Sequence, residues 1–276
     1  SQRFFSYAGD RFRHRMPTWF CGCYPPEPFY KTKPETLKLR ELRNGQRQNS
    51  PEKEHQETDQ RSTYMDNLEL LFPDLESRII PVLVLDDVDE ALKMCELLCE
   101  NGLPVAEFTF RTPEAKEILA RAVEEFPEML IGAGTLLNLT DLEWARNAGA
   151  KFGTAPGFNP QVVQTAIARN FPFIPGICTP SELEQAVALG CTILKFFPAE
   201  ALGGTAFLEA IIASYRHLGI HFIPAGGLTP ANAMEYLKIP EVMTIGGTWL
   251  GKDIPDWEKV AEGIRRAVEA LKEVQE

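Results

Sequence analysis

Eight short apolar runs alternate with eight segments of helical periodicity between residues 79 and 274. The predicted strands are 79–84, 105–110, 129–134, 151–156, 171–177, 192–197, 221–226 and 242–247. The predicted helices are 87–100, 113–126, 139–148, 160–169, 180–189, 204–214, 230–238 and 255–274. Eight strand–helix repeats in about 210 residues predict an α/β fold, specifically a (β/α)₈ TIM barrel. A doubly wound open sheet is the alternative, but the glycine-rich turn that usually follows its first strand is missing from PVLVLDDVDEA.

The first 64 residues have a different texture and predict a separate region. They mix basic, aromatic and proline residues without periodicity and then become almost free of apolar residues. This composition predicts an irregular or disordered extension and linker over 1–64, followed by the barrel over 65–276. Two interpretations remain open. The extension is an arm that binds a protein partner through its aromatic side chains, or Met65 is the true start and the preceding residues carry little function.

Charge and cysteine content limit the partners that this chain can have. Residues 1–64 hold twelve basic and eight acidic side chains, whereas the rest hold sixteen basic and thirty-one acidic ones. The excess of acidic residues after residue 64 predicts that the chain binds neither nucleic acid nor a membrane, because both need clustered positive charge. Cys95 and Cys99 are expected to be ordinary buried thiols, and no metal site is predicted. The cysteine pattern and the absence of a long apolar run predict a cytoplasmic protein.

Lys195 lies inside the apolar run TILKFFPAE, where a cation needs an explanation. A lysine is rarely buried without a partner, since removing an ammonium from water is costly. Alternation along the second predicted strand puts Glu107, Thr109 and Arg111 on one face. Reactive groups of a barrel gather at the carboxyl ends of its strands. We therefore expect Glu107 and Lys195 to point into the same opening of the barrel.

Such a pair is suited to Schiff-base chemistry. An amine among apolar neighbours loses its proton more readily, and the neutral form attacks a ketone carbonyl. A carboxylate facing the same cavity is a suitable acid and base for the proton transfers that follow. A purely structural ion pair is the alternative, because buried Lys–Glu pairs also occur in cores.

Glycine pairs at the ends of the last two strands favour the catalytic interpretation. Gly226–Gly227 and Gly246–Gly247 end the seventh and eighth predicted strands. In barrels, the loops after these two strands commonly hold a phosphate group with backbone N–H groups. The sequence thus predicts a phosphate site beside the lysine.

Six motifs in this order resemble one family, the 2-keto-3-deoxy-6-phosphogluconate and 4-hydroxy-2-oxoglutarate (KDPG/KHG) aldolases. They are EFTFRT, GAGT, PGICTPSE, LKFFPAE, PAGG and IGGTWL, and the similarity covers about residues 66–274. The resemblance implies a carbon–carbon lyase of the Entner–Doudoroff type. Its reaction would be class I cleavage of a 2-keto-3-deoxy-6-phospho sugar acid to pyruvate and glyceraldehyde 3-phosphate. It also implies a homotrimer and no cofactor other than the covalent imine.

The resemblance also implies a role for each matching residue. Lys195 takes the position of the Schiff-base lysine, and Glu107 that of the general acid/base, which works through a water. Arg111, Thr135, Pro156 and Phe197 match the surroundings of the pyruvyl and carboxylate end. Gly226, Gly227, Gly246, Gly247 and Thr248 match the phosphate cradle.

Two departures from the family pattern affect the expected substrate. Ala225 and Ala155 stand where the family commonly has a threonine and a serine. The loss of two hydroxyls near the pocket implies a changed specificity, for example toward 4-hydroxy-2-ketoglutarate. An alternative function is a trimeric scaffold of aldolase ancestry that uses residues 1–64 to bind a protein partner.

Overall fold

The computed structural model describes residues 78–275. The predicted extension and linker, and the boundary between residues 64 and 65, lie outside the described residues. All six motifs, from EFTFRT at one end to IGGTWL at the other, lie within the described residues.

Nine strand segments and eight α-helices alternate along this region. The strands are β1 (Ile79–Leu83), β2 (Val105–Thr109), β3 (Leu130–Gly134), β4 (Phe152–Thr154), β5 (Phe173–Ile174), β6 (Gly176–Ile177), β7 (Ile193–Phe196), β8 (His221–Pro224) and β9 (Ile245–Gly247). The helices are α1 (Val88–Glu100), α2 (Ala115–Glu125), α3 (Leu139–Asn147), α4 (Pro160–Ala168), α5 (Pro180–Ala188), α6 (Gly204–Tyr215), α7 (Ala233–Leu237) and α8 (Trp257–Gln275). Each predicted strand contains one of these segments, except that the fifth contains two.

All strand pairs formed by these segments are parallel. One sheet has six strands in the order β5-β4-β3-β2-β1-β9, and the other has three in the order β6-β7-β8. Isolated parallel bridges join Phe222 to Val242 and Ala225 to Gly246. The prediction of an α/β fold with parallel strands, each followed by a helix, is therefore confirmed.

Proline chemistry explains where the fifth predicted strand divides. Pro175 separates β5 from β6 because a proline has no N–H to donate to a neighbouring strand. Its carbonyl still accepts a hydrogen bond from the Lys195 N–H at 2.9 Å. The two segments therefore follow one another along the same path.

Four helices begin later than predicted: α1 at Val88, α2 at Ala115, α7 at Ala233 and α8 at Trp257. The seventh starts at Ala233 instead of residue 230, because the Asn232 side chain accepts the Thr229 N–H at 2.7 Å and holds a turn. The second starts at Ala115 instead of Pro113, and Glu114 ahead of it makes no side-chain cap. Where a cap is present, at Thr179, a reciprocal bond with Glu182 starts α5 as predicted.

Burial on both faces of the strands explains their nearly continuous apolar sequences. All five residues of β1 and of β2 are buried. Among the described residues, the buried polar or charged ones are Glu107, Thr109, Thr154, Lys195 and Thr244. Glu107, Thr109 and Lys195 line one cavity, and Thr154 contacts Lys195. Among the helices of residues 78–275, none combines the length and apolar character needed to cross a membrane.

Candidate active site

Lys195 on β7 reaches across the strands to Glu107 on β2. Its Nζ lies 3.0 Å from Oε1 and 3.2 Å from Oε2 of that carboxylate. Both side chains are removed from water, with 9% of the lysine and 4% of the glutamate exposed. A buried pair of this kind holds its geometry firmly, because separating the charges would leave one of them desolvated and unpaired. The structure thus brings together the two residues on which the sequence argument depends.

A third residue completes the surroundings of the lysine. Thr154, the last residue of β4, has its Oγ1 3.1 Å from Lys195 Nζ and is 3% exposed. Thr154 is not among the site residues predicted from the sequence. Period-two alternation along the fourth predicted strand was the available signal, but threonine is common in strands for its shape alone.

The glutamate carboxylate fits because β3 has no side chain at its level. Gly134 pairs with Thr109 of the neighbouring β2. A Cβ added at Gly134 would lie 2.2 Å from Glu107 Oε1 and 2.8 Å from its Cδ. The second glycine of the GAGT motif, Gly134, is therefore explained by packing, since it provides the space in which the carboxylate lies beside the lysine amine.

A cavity of about 310 Å³ opens over the pair. Ten of the predicted site residues line it: Glu107, Arg111, Thr135, Pro156, Lys195, Phe197, Gly226, Gly227, Gly246 and Thr248. The lining is completed by Thr109 and Ala225, which the sequence placed near the pocket, and by Val82 and Leu228, which it did not. Its volume lies at the lower end of the range for small-molecule sites.

Two residues that were expected at the cavity, Gly247 and Ala155, do not line it. Gly247 is not among its lining residues, because the Trp249 ring packs so closely that a Cβ at Gly247 would lie 1.6 Å from it. Ala155 is buried but also does not line the cavity. Of the two positions where the family commonly has a hydroxyl, only Ala225 is therefore in a position to face a bound molecule.

One end of the cavity carries the Arg111 guanidinium, which is bonded to the Thr109 hydroxyl. The Arg111 Nε donates to Thr109 Oγ1 at 3.2 Å, and that hydroxyl donates to the Leu83 carbonyl at 3.1 Å. Beside them, Thr135 has a φ of 62°. A β-branched residue rarely adopts this left-handed conformation, which costs on the order of 1–3 kcal/mol and is found mainly at functional sites. This end is suited to a carboxylate, which arginine binds with two parallel hydrogen bonds.

The other end is built from glycine backbone. Gly226 and Gly227 have φ values of 92° and 84°, which favour glycine. Added Cβ atoms there would lie 2.9 Å from the Phe197 ring and 2.6 Å from the Glu200 Cβ. The Tyr236 hydroxyl donates to Glu200, and burial together with this bond raises the pKa of Tyr236. The glycine turn is thus packed from behind and open toward the cavity.

A second and larger cavity lies away from the lysine. Its volume is about 490 Å³, and its lining includes Met234, Trp249, Lys252 and Ala267 but neither Lys195 nor Glu107. Within residues 78–275, no group of three or more His, Cys, Asp or Glu side chains could hold a metal ion.

A class I aldolase holds its keto substrate as an imine on a lysine. A lysine amine next to a buried carboxylate that can accept its proton is suited to this chemistry. The profile described as "KDPG and KHG aldolase" matches residues 75–262. The chain belongs to this family. The predicted family and the prediction of a carbon–carbon lyase are both confirmed.

Individual relatives agree with the family assignment. The 2-dehydro-3-deoxy-phosphogluconate aldolase of Treponema pallidum is 40% identical over 173 residues, which cover 63% of this chain and 81% of the relative. The 2-keto-3-deoxy-6-phosphogluconate aldolase of Zymomonas mobilis ZM4, solved with 3-phosphoglycerate, has a TM-score of 0.67 and 32% identity, covering 74% of this chain and 94% of that one. The KDPG aldolase of Legionella pneumophila, with pyruvate captured as a covalent carbinolamine, has a TM-score of 0.65 and 32% identity, covering 75% and 97%.

Proposed function

We propose that this chain is a class I aldolase that cleaves 2-keto-3-deoxy-6-phosphogluconate to pyruvate and glyceraldehyde 3-phosphate, with a related 4-hydroxy-2-oxo acid as a second substrate. The observation that carries the proposal is the 3.0 Å contact between Lys195 Nζ and Glu107 Oε1 inside a cavity. Its two chemically different ends match a substrate with a carboxylate at one end and a phosphate at the other.

The first half of the reaction makes the imine. Glu107 takes a proton from the Lys195 ammonium, and the neutral amine attacks C2 of the keto acid. A proton moves from nitrogen to the former carbonyl oxygen, giving a carbinolamine. Glu107 then returns its proton to that hydroxyl, water leaves, and an iminium remains. A covalent carbinolamine with pyruvate was captured in the Legionella pneumophila relative, which supports a carbinolamine as an intermediate here.

The second half breaks the carbon–carbon bond. Glu107, again a carboxylate, takes the proton of the C4 hydroxyl, and the C3–C4 bond electrons move toward the iminium to give an enamine. Glyceraldehyde 3-phosphate leaves as the aldehyde product. Glu107 protonates C3, and water hydrolyses the resulting iminium to release pyruvate and restore the amine. The imine serves as the electron sink throughout, so the proposed reaction needs no separate cofactor.

The remaining cavity residues are proposed to bind and orient the substrate. Arg111 and Thr135 bind the carboxylate end, with Pro156 and Phe197 as walls around the pyruvyl group. Phosphate is proposed to bind at the turn that contains Gly226 and Gly227 and beside Gly246 and Thr248. Support comes from the positive φ of both turn glycines, whose N–H groups can then converge on an anion. Gly247 contributes by supporting Thr248 from the strand.

We also propose that the two sheets close into one (β/α)₈ barrel, with β5 and β6 as a single strand interrupted at Pro175. The bridge between Ala225 and Gly246 supports this at one junction, and the hydrogen bond from the Lys195 N–H to Pro175 supports it at the other. The homotrimer, the domain boundary after residue 64, the protein partner of residues 1–64 and the cytoplasmic location stay predictions.

Covalent trapping tests the function directly. When the protein is incubated with pyruvate and reduced with borohydride, we expect one stable adduct per chain, on the peptide that contains Lys195. Peptide mass spectrometry locates it. A folded protein that gives no adduct, or one on another lysine, would contradict the proposal. KDPG and 4-hydroxy-2-oxoglutarate cleavage rates, measured side by side, then rank the two substrates.

Replacing Gly134 by alanine should lower kcat by about 100-fold, because the new methyl group would displace the Glu107 carboxylate and a shift of about 1 Å at the reacting groups costs this much. Overpacking should also lower the free energy of unfolding by about 1–3 kcal/mol. Steady-state kinetics and denaturant unfolding measure the two effects.

Gly263→Ala is the matched control for this variant. A Cβ at Gly263, on α8, would meet nothing within 4 Å. We expect unchanged kinetics and a stability equal to or slightly above that of the wild type, since alanine favours the helix. Wild-type kcat in Gly134→Ala would show that the carboxylate position does not depend on this glycine.

A further inference from the structure

Thr154 is a polar residue at the reacting lysine to which the proposed reaction assigns no step. Its hydroxyl oxygen lies 3.1 Å from Lys195 Nζ, about as close as the Glu107 oxygens at 3.0 and 3.2 Å. We propose that Thr154 is a positioning residue, whose hydroxyl fixes the rotation of the Lys195 amine so that its lone pair faces the keto carbon. This inference rests on the proposed imine-forming function.

The hydrogen-bond count of the amine explains why a second partner is needed. The ammonium has three N–H bonds, all of which the Glu107 carboxylate and the Thr154 hydroxyl oxygen can accept. After one proton passes to Glu107, two N–H bonds and one lone pair remain. With the glutamate alone, the amine can rotate and turn its lone pair toward the newly formed acid. Thr154 retains one N–H bond and so limits that rotation.

The backbone around Thr154 gives this hydroxyl a fixed position. Thr154 pairs with Ile174 of β5, and its carbonyl accepts the Leu136 N–H at 3.0 Å. The residue is buried, and a β-branched side chain has restricted rotation about χ1. Glu107 and Thr154 stand on strands at either side of β3, whose Gly134 leaves room for the Glu107 carboxylate. The amine is therefore held from two directions by side chains that cannot easily move.

A structural role would produce the same contact, because a buried hydroxyl needs a partner whatever its function. The two roles differ in what they predict for kinetics. If the hydroxyl is only structural, its removal would change the free energy of unfolding, and any loss of rate would match the loss of folded protein. A positioning hydroxyl changes the rate of imine formation in protein that is fully folded.

Two variants separate these cases. Thr154→Val keeps the shape of the side chain and removes the hydroxyl, whereas Thr154→Ser keeps the hydroxyl and removes the methyl group. We expect Thr154→Val to lower the rate of borohydride-trapped adduct formation with pyruvate by about tenfold, the size of one lost hydrogen bond to a charged or reacting group. Thr154→Ser should stay within about threefold of the wild type. The KM for pyruvate should change little in both variants.

Exchange of the pyruvate methyl protons with D₂O adds a second readout, because it requires the imine but no carbon–carbon cleavage. In Thr154→Val, exchange and KDPG cleavage should fall by the same factor if imine formation is the slowed step. Cleavage that falls while exchange stays at the wild-type rate would overturn the assignment. A wild-type adduct rate in Thr154→Val, or equal losses in the valine and serine variants, would overturn it as well.

Adduct formation by the wild-type protein distinguishes a wrong role for Thr154 from a wrong function for the whole site. If wild-type protein forms the adduct on Lys195 and Thr154→Val matches its rate, only the role of Thr154 is lost. If the wild-type protein forms no adduct on Lys195, the aldolase function itself is contradicted. Thermal unfolding of each variant confirms that the rates are compared on folded protein.

Discussion

Replacing Lys195 by arginine should reduce KDPG cleavage by at least about 10⁴-fold while the chain stays folded. The guanidinium keeps a positive charge next to Glu107, so the buried pair is retained, but it does not lose its proton and cannot attack a carbonyl. Losses of this size are typical when a covalent nucleophile is removed. Cleavage kinetics and borohydride trapping measure the effect, and no pyruvate adduct is expected.

The choice of arginine rather than alanine follows from the burial of the pair. Lys195→Ala would leave the Glu107 carboxylate desolvated without a partner, which costs about 3–5 kcal/mol and would confuse loss of chemistry with loss of fold. Lys238→Arg, at an exposed ion pair on the surface, is a matched control and should behave like the wild type. Activity of Lys195→Arg within tenfold of the wild type would contradict the role of the lysine as the nucleophile.

Replacing Glu107 by glutamine should slow turnover by about 10²- to 10⁴-fold, the range expected when a positioned acid and base is removed. The amide has nearly the shape of the carboxylate, so the space over Gly134 stays filled, but it cannot accept the ammonium proton. We expect a pyruvate adduct on Lys195 that still forms, but slowly, because bulk water must then carry the protons. The time course of borohydride trapping measures this directly.

An exposed glutamate provides the comparison for this variant. Glu117→Gln, on the solvent side of α2, makes the same chemical change away from the cavity and should leave kinetics unchanged. If Glu107→Gln retained KDPG turnover within threefold of the wild type, another group would have to move the protons. A fully active adduct rate with a large loss of cleavage would restrict Glu107 to the second half of the reaction.

The pairing of Lys195 with Glu107 could be predicted from the sequence because two simple periodicities determine it. Strand alternation set the face of Glu107, and the parallel arrangement of strands put both residues at the same end of the fold. Both residues are also charged side chains within predicted strands that are otherwise mostly apolar, which makes them easy to recognise. The same reasoning placed most of the glycines and the Arg111 end of the cavity.

Other features of the site depend on contacts that no local pattern reveals. Thr154 is an ordinary residue for a strand, and only its distance to an amine from another strand makes it distinctive. Gly247 looked equivalent to Gly246 in the sequence, yet the Trp249 ring packs against it. The late start of α7 depends on the Asn232 side chain, which offers the Thr229 N–H an alternative to the helix.

The third strand has a practical consequence for anyone who wants to redesign the substrate range of this enzyme. Phe152 and Glu107 occupy the space of the side chains that Gly132 and Gly134 lack, so added Cβ atoms would lie 2.3 and 2.2 Å from them. A mutant library should therefore leave these two codons unchanged. Diversity is better placed at Val82, Ala225 and Leu228, which border the cavity and whose side chains carry no polar group.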